Sequence, residues 1–272
     1  MKESLSVRFL YGTVPGRIFL KILIDPRISK VFAKYMSSKY SKVIIPWFIK
    51  KNGINMDRFI IPKGGYKSFN DFFTRRLKVV PYIDDKAQLI SPCDGYLTVK
   101  DIDDDSVFEI KHSRYDLRRL LKSKKLSKEF KGGTALIFRL TPCHYHRYDF
   151  CADGKIEAFR KIKGVLHCVR PIAVGKLNVF SQNSREYIVM KCDDNRKVIQ
   201  MEVGAMLVGK IANSKNSEPS SVVKKGEEKG FFEYGGSTII VLLNEKVKVN
   251  RDILAREKVG NEIPVMIGES LL

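Results

Sequence analysis

Residues 230–243 read GFFEYGGSTIIVLL, in which a Gly-Gly-Ser-Thr segment leads into an unbroken apolar run. The apolar run after Ser237 predicts a buried strand. Two successive glycines can adopt backbone angles that other residues avoid, so a sharp turn is expected directly before that strand. A serine held after such a turn can bring its hydroxyl group against the carbonyl group of Gly236. The segment therefore predicts a core strand with a serine at its start.

This arrangement suits a rearrangement of the backbone at the Gly236–Ser237 bond. Attack of Ser237 Oγ on the carbonyl carbon of Gly236 would turn the amide into an ester. Removal of the alpha proton would expel the ester and leave dehydroalanine. Water would then release ammonia and leave a pyruvoyl group on the new N-terminus. On its own, however, Gly-Gly-Ser-Thr is more typical of an ordinary tight turn before a strand.

Short β-like runs continue from about residue 87 and are separated by Gly, Asn and Asp, which predicts a sheet-rich domain. Strands are expected at residues 96–99, 135–140, 198–203, 206–211 and 238–243. Before this region, Ser68 precedes phenylalanines at helical spacing, and Asp71 stands where a carboxylate can accept backbone N–H groups at a helix start. The expected fold class is α+β, with helices followed by a mainly antiparallel β-rich domain.

The N-terminal part of the chain contains short apolar and aromatic segments bordered by Lys and Arg. Residues 19–24 and 43–49 are examples, and Trp47 is followed closely by Lys50 and Lys51. Aromatic rings beside cations suit a helix that lies at a lipid–water interface. A helical hairpin packed on the main domain is an equally good interpretation, and the two are compatible on different faces. No apolar run reaches the ~18–20 residues that span a bilayer, so membrane contact would be peripheral.

The charge and the cysteine content give further information about the class of protein. The 272 residues include fifty Lys and Arg against thirty Asp and Glu, which gives a net charge of +20. Such a surface attracts polyanions, either nucleic acid or an anionic membrane; a solvated lysine-rich surface is the alternative. The five cysteines form no C-x-x-C pair and show no metal-binding spacing, and no signal peptide precedes them. Reduced thiols in the cytosol are therefore expected.

Several further segments contain residues that could take part in chemistry at Ser237. They are residues 68–76 (SFNDFFTRR), 91–95 (SPCDG), 141–148 (TPCHYHRY), 171–173 (PIA), 202–211 (EVGAMLVGKI) and 225–238 (KGEEKGFFEYGGST). The second segment presents Asp94 on a predicted turn, and the third places His144 and His146 after a predicted strand. In this order the segments resemble the phosphatidylserine decarboxylase proenzyme family. The resemblance runs from about residue 68 to residue 243.

The resemblance implies a self-processing enzyme that decarboxylates phosphatidylserine to phosphatidylethanolamine and CO2 in phospholipid biosynthesis. Self-cleavage at the Gly236–Ser237 bond would give a β chain, residues 1–236, and an α chain, residues 237–272. Ser237 would become the pyruvoyl cofactor, and no metal is implied.

The site residues of the family carry over one at a time. Its processing aspartate maps onto Asp94, and the histidine of its Tyr-His-Arg motif, associated with substrate handling and decarboxylation, maps onto His146. Many members have a second histidine three residues later, paired with the aspartate and the serine, but here that position is Asp149. An unperturbed aspartate with a pKa near ~4 is a weaker base than histidine, although burial would raise it. His144 and His167 are alternative bases, and His167 is also typical of a structural histidine in a strand.

The expected organisation is a helical membrane-associating region, residues 1–66, followed by a β-rich catalytic domain, residues 67–272. The expected partners are an anionic phospholipid membrane, phosphatidylserine and the chain's own α and β products. Nucleic acid is not expected, and a homodimer stays open. The expected location is peripheral, at the cytoplasmic face of the cell membrane. The alternative is a non-catalytic paralogue that binds membranes or nucleic acid through its charge and stays uncut.

Overall fold

The computed structural model describes residues 5–110, 113–169, 171–174, 177–206, 210–235, 237–259 and 261–272, and its mixture of helices and antiparallel sheet confirms the expected α+β class. The helices are α1 Leu5–Gly12, α2 Val14–Leu23, α3 Pro26–Met36, α4 Ile45–Asn52, α5 Phe69–Phe73, α6 Leu117–Leu121, α7 Lys124–Glu129, α8 Pro171–Val174, α9 Val179–Gln182 and α10 Arg251–Leu254. The strands are β1 Gly95–Asp101, β2 Val107–Ile110, β3 Ser113–Asp116, β4 Thr134–Leu140, β5 Arg147–Asp149, β6 Gly154–Ile162, β7 Arg185–Cys192, β8 Lys197–Gly204, β9 Ile211–Asn213, β10 Val222–Val223, β11 Glu228–Phe232, β12 Ser237–Leu243 and β13 Ile263–Val265.

Helices α1 to α4 form the N-terminal part, and local sequence explains where two of them begin. The Thr13 side chain accepts a hydrogen bond from the Gly16 N–H at the start of α2, and the Asp25 side chain accepts one from the Arg27 N–H at the start of α3. A proline lies in the first turn of both helices, where its missing N–H costs nothing. None of the helices in the described part of the chain is both long and apolar enough to cross a membrane.

An eight-stranded antiparallel sheet in the order β10-β6-β7-β8-β12-β4-β1-β13 forms the centre of the protein. Strand β12 lies between β8 and β4 and pairs with both along its whole length, from Ser237 to Leu243. All of its residues are buried, as the apolar run predicts. The expected strands at residues 96–99, 135–140 and 198–203 lie within β1, β4 and β8.

The expected strand at residues 206–211 is wrong in its described part. Met206 lies in a turn, only Ile211 belongs to a strand, and residues 207–209 lie outside the described residues. The reason is the end of the central pairing. Ser237 is the first residue of β12 and stands opposite Gly204, so β12 offers no partner to the chain beyond Gly204.

Alternate residues of β12 face two different cores. Ile240 and Leu242 pack in a core with helices α6, α8 and α9, whereas Ile239 and Val241 pack in a core with β5 and β11. Strand β11 is the middle strand of a small antiparallel sheet in the order β5-β11-β9. Because side chains alternate along a strand, Ser237 is in phase with Ile239 and points towards the small sheet.

A third, aromatic core joins the N-terminal helices to helix α5. The Asp71 carboxylate accepts a hydrogen bond from the Lys67 N–H at 2.8 Å, as the sequence predicts, and Ser68 caps α5 by accepting one from the Asp71 N–H at 3.1 Å. Phe48 of α4 packs edge-on against the rings of α5 and is only 5% exposed, whereas the neighbouring Trp47 is 57% exposed. Helix α4 therefore buries one aromatic face in the protein and leaves the other on the surface.

We expect Arg185→Met to lower the free energy of unfolding by about 3 kcal/mol or more. Arg185 is 1% exposed and its guanidinium donates to four backbone carbonyl groups, those of Arg119, Leu120, Ser181 and Asn183. Loss of the donor would leave buried acceptors without partners. The matched control is Arg160→Met, because Arg160 is exposed and donates to two carbonyl groups at the end of α6. Urea denaturation should show a loss below about 1 kcal/mol for the control, and equal losses would contradict the prediction.

Candidate active site

Strand pairing brings predicted site residues to one end of the large sheet. Ser237 begins β12 beside Leu140 at the end of β4 and Gly204 at the end of β8. Strand β1 runs antiparallel to β4, so Asp94, which precedes β1, lies at the same end. The histidine segment, residues 141–146, leaves the end of β4 there as well. The sheet thus gathers a serine, an aspartate and two histidines in one region.

Ser237 follows a turn with unusual backbone geometry. Gly235 has a φ of 142°, which side-chain-bearing residues rarely adopt. Gly236, the other partner in the predicted cleavage, lies outside the described residues. Ser237 is 0% exposed, and its Oγ has no hydrogen-bond partner among the residues that the structure describes. A buried hydroxyl without a partner costs free energy, and such a group is free to act as a nucleophile.

Asp94 links three separate parts of the chain. One carboxylate oxygen accepts a hydrogen bond from Arg58 Nη1 at 3.1 Å, and the other accepts one from the Ile267 N–H at 3.0 Å. Arg58 belongs to the N-terminal part, and Ile267 belongs to the segment that would follow the predicted cut. Asp94 is 2% exposed, so these two bonds hold it firmly beside the end of β4.

His146 is fully buried, and its two ring nitrogens have different surroundings. Nδ1 lies 2.9 Å from the carbonyl oxygen of His144, so Nδ1 carries the proton and donates it. Nε2 has no hydrogen-bond partner within the described part of the chain. Burial holds the pKa of His146 well below its usual value, and the positive charge of Arg75 lowers that pKa further. His146 is therefore a neutral imidazole with a free lone pair at Nε2.

His144 shapes the turn that carries His146. Its Nδ1 accepts a hydrogen bond from the Thr141 N–H at 3.0 Å, and burial lowers its pKa to about 4. The buried Arg75 donates to the carbonyl oxygens of Cys143 and His144, each at 3.2 Å. These bonds fix the backbone on which the His146 ring is mounted.

Helix α5 contacts both His146 and the segment that precedes the two glycines. The N–H group of Tyr234 donates to Asn70 Oδ1 at 3.0 Å. The Tyr234 ring packs edge-on against Phe69 and Phe73, with centroid distances of 4.9 and 5.2 Å. The Phe73 ring also lies 3.9 Å from the His146 ring. The sequence pattern predicts only a core-facing helix here, so this direct role of α5 at the site emerges from tertiary packing.

Asp149 lies in β5, on the small sheet. Its N–H donates to the Pro92 carbonyl oxygen, and its own carbonyl oxygen accepts from Gln200 Nε2, both at 2.9 Å. Burial raises the pKa of its carboxyl group to about 7, as expected, and the negative charge of Glu228 on the paired strand adds to the effect. A carboxylate with this pKa is about as basic as an ordinary imidazole.

His167 is fixed by contacts with other elements. Its Nδ1 lies 3.4 Å from the hydroxyl oxygen of Tyr11 in α1. Asn183 accepts from its backbone N–H and donates to its carbonyl oxygen, both at 2.8 Å. Burial lowers the pKa of its ring. These contacts support a structural role, in which His167 joins the first helix to the sheet.

Two charged residues to which the sequence patterns did not point lie in the same region. Glu202 of β8 and Lys229 of β11 form an ion pair at 2.6 Å with both side chains fully buried. The thiol of Cys93 has its pKa raised by burial and then by the carboxylates of Asp94, Asp149 and Glu202, so these carboxylates lie around one point. The signal in the sequence was an acidic residue between two apolar residues of a predicted strand, Met201 and Val203. Among the described residues, no three His, Cys, Asp or Glu side chains are arranged to hold a metal ion.

Comparison with known proteins gives consistent matches over most of the chain. The family model described as phosphatidylserine decarboxylase matches residues 69–272. The chain is 45% identical to phosphatidylserine decarboxylase proenzyme 2 of Clostridium acetobutylicum over 270 residues, which cover 98% of this chain and 91% of the relative. It is 38% identical to the phosphatidylserine decarboxylase proenzyme of Clostridium novyi, over 97% of this chain and 91% of the relative. It is 39% identical to the protein of that name from Ruminiclostridium cellulolyticum, over 96% and 89%. The similarity therefore includes the N-terminal helices as well as the sheet.

We expect Asp149→Asn to remove a pH dependence of stability. The pKa of Asp149 is about 7 in the folded protein and 3.8 as its ordinary value, so the folded state holds this proton more tightly. Its contribution to stability is complete below pH ~4 and is lost as the pH rises towards ~7, by on the order of 4 kcal/mol. Urea denaturation between those pH values should show this decline in the wild type and not in the variant. Parallel curves for the two proteins would contradict the assignment.

Proposed function

This chain belongs to the phosphatidylserine decarboxylase family, and we propose that it cuts its own backbone between Gly236 and Ser237 and converts Ser237 to a pyruvoyl group. The chain is a decarboxylase that converts phosphatidylserine to phosphatidylethanolamine and CO2 in phospholipid biosynthesis. One observation carries the proposal about the cut. Ser237 is completely buried two residues after Gly235, which has a positive φ, and its hydroxyl group is not engaged in any hydrogen bond to the described residues.

The sheet explains why such a cut would not release the smaller product, residues 237–272. Strand β12 is paired with β4 on one side and β8 on the other, and β13 is paired with β1. Asp94 adds a hydrogen bond to the N–H of Ile267. The new chain end at Ser237 would therefore remain at the end of the large sheet, beside the histidine turn.

The residues around Ser237 fit a pyruvoyl group at this position. The group would supply a carbonyl that draws electrons from the amine-bearing carbon of the substrate, as pyridoxal phosphate does in other enzymes. His146 would move the proton at the reacting carbon, because its Nε2 is buried and free while Nδ1 is held by the His144 carbonyl group. A substrate carboxylate and phosphate nearby would favour protonation of His146, since negative charge raises the pKa of an imidazole.

We further propose that the N-terminal helices rest on an anionic membrane at the cytoplasmic face of the cell membrane. Eight large apolar side chains between residues 14 and 47 are each between 55% and 78% exposed: Val14, Ile18, Phe19, Ile22, Val31, Tyr40, Val43 and Trp47. Exposed lysines lie among them, and the ammonium of Lys51 is 4.3 Å from the centre of the Trp47 ring. Apolar and basic groups together suit a lipid surface, whereas nucleic acid would leave the apolar side chains in water.

The cut itself is tested by Ser237→Ala. Wild-type protein should separate into two chains on a denaturing gel, and intact-mass measurement should give the masses of residues 1–236 and 237–272 with a pyruvoyl end on the smaller chain. The variant should stay at full length and lack decarboxylase activity. Ser217→Ala is a matched control, because Ser217 is 2% exposed and its hydroxyl also lacks a partner among the described residues. A wild-type chain that stays intact with Ser237 unmodified would contradict the proposal.

The membrane surface is tested by Trp47→Glu. The variant should bind vesicles of phosphatidylserine and phosphatidylcholine about tenfold or more weakly than the wild type. An exposed aromatic side chain is replaced by a carboxylate, which the negatively charged lipid repels. Val222→Glu is the control, since Val222 is 69% exposed but lies on β10 at the edge of the sheet. Co-sedimentation with vesicles measures both. Equal binding by the two variants would contradict the proposed surface, and retention on duplex DNA instead would favour the nucleic-acid alternative.

A further inference from the structure

The buried ion pair between β8 and β11 leaves one carboxylate oxygen without a described hydrogen-bond partner. Lys229 Nζ donates to Glu202 Oε2 at 2.6 Å and to Asn213 Oδ1 at 2.7 Å. Both charged side chains are 0% exposed. The second carboxylate oxygen, Oε1, is buried and accepts no hydrogen bond from the residues that the structure describes. Glu202 therefore has an unused acceptor in the interior of the protein.

Strand register places this acceptor on the same face as Ser237. Ser237 stands opposite Gly204, and Ile239 stands opposite Glu202. Ser237 and Ile239 point to the same side of the sheet, and Lys229, the partner of Glu202, lies in the small sheet on that side. Glu202 is thus a diagonal neighbour of Ser237, with Cα atoms about 7–8 Å apart and side chains within reach.

Gly204 leaves the β8 position opposite Ser237 without a side chain. No β8 side chain therefore stands between Ser237 and Glu202, and the Leu166 and Ile211 side chains lie over Gly204 on that face. The first side chain met along β8 on that face is the Glu202 carboxylate. Two buried polar atoms without described partners, Ser237 Oγ and Glu202 Oε1, thus belong to diagonal neighbours on one face of the sheet.

A purely structural ion pair explains this arrangement poorly. Buried ion pairs stabilise proteins little, because the loss of hydration offsets most of the attraction. A pair kept only for the fold would be expected to satisfy its remaining oxygen, since buried polar atoms in native proteins almost always have partners. The unsatisfied oxygen instead belongs to the diagonal strand neighbour of a serine whose proton must be removed.

We propose that Glu202 is the base that takes the proton from Ser237 Oγ during self-cleavage, with Lys229 and Asn213 as positioning residues. This inference rests on the proposed self-cleavage at Gly236–Ser237. The Oγ–H proton passes to Glu202 as Oγ forms a bond to the carbonyl carbon of Gly236. The bond from that carbon to the Ser237 nitrogen then breaks, and Glu202 returns the proton to the nitrogen. An amide has become an ester, and no oxidant, reductant or metal is needed.

The surroundings of Glu202 suit this role. Burial raises the pKa of its carboxyl group above the usual value, which makes the carboxylate a stronger proton acceptor. The ammonium of Lys229 and the Asn213 side chain limit the rise, and the negative charge of Glu186 adds to it. The proton travels only from Ser237 to Glu202 and back, so the buried region keeps its net charge throughout. Asp149, which stands where many family members have histidine, also lies near Cys93, but it is on β5 opposite Glu228 and is not a strand neighbour of Ser237.

The test is the rate of self-cleavage of Glu202→Gln in a cell-free translation reaction. The fraction of chain cut is followed on denaturing gels for the wild type, Glu202→Gln and a control. Glu262→Gln is the matched control, because Glu262 is also buried and ion-paired, to Arg139, but Arg139 packs on the other face of the sheet. We expect cleavage of Glu202→Gln to be slowed about 100-fold or more, which is the typical effect of losing a general base. The control should be cut at the wild-type rate.

A second variant distinguishes a loss of cleavage caused by misfolding from one caused by the missing base. Glu202→Gln leaves the Lys229 charge buried without its partner, which by itself destabilises a protein. The double variant Glu202→Gln/Lys229→Met removes both charges, and its circular dichroism and melting temperature report whether it folds. A folded double variant that stays uncut supports the proposal. A folded variant that is cut at the wild-type rate overturns it, and failure of both variants to fold would also overturn it by assigning the pair to stability.

Hydroxylamine identifies the step that fails. It cuts esters at neutral pH and leaves amides intact. Folded, uncut Glu202→Gln should therefore resist hydroxylamine, since Ser237 has not attacked. Cutting by hydroxylamine would show that the ester forms without Glu202 and would overturn the assignment. If the wild-type chain itself stays uncut, the proposed self-cleavage fails; if the wild type and Glu202→Gln are cut equally fast, only the role of Glu202 fails.

Discussion

The pairing of β12 with β4 on one side and β8 on the other is the constraint on which the site depends. Main-chain hydrogen bonds fix Ser237 opposite Leu140 and Gly204, whatever its side chain does. Because side chains alternate along a strand, a slip of one residue would turn Ser237 into the opposite core. The same sheet positions Asp94 and the histidine turn, so the relative placement of the site residues follows from register and not from any single contact between them.

The end of this sheet is also where the protein leaves polar atoms unsatisfied. Ser237 Oγ, His146 Nε2 and Glu202 Oε1 are all buried and have no hydrogen-bond partner among the described residues. Each such atom costs free energy that an apolar replacement would not cost. The two large apolar cores on either face of the sheet offset this cost. The fold thus tolerates reactive groups that are hidden from water and held in fixed positions before any reaction begins.

The features of this structure that local sequence patterns control could be predicted from the sequence. The strand after Ser237, the Ser68 cap and the α+β class follow from periodicity and capping. The Glu202–Lys229 pair joins residues 27 positions apart on different sheets, so no local pattern reveals it. The raised pKa of Asp149 likewise depends on burial and on a paired strand. The expected strand at residues 206–211 was wrong because propensity does not show where a partner strand ends.

The hydrogen bond between Asp94 and Ile267 bears on when the protein can become active. Ile267 lies thirty positions after Ser237, near the end of the chain, and β12 itself is among the last strands to be made. Ser237 therefore has its neighbours on both sides only when β4, β8 and β12 have paired. Under the proposed self-cleavage, activation would be an irreversible check on correct assembly, because a copy that folds wrongly would not form its pyruvoyl group.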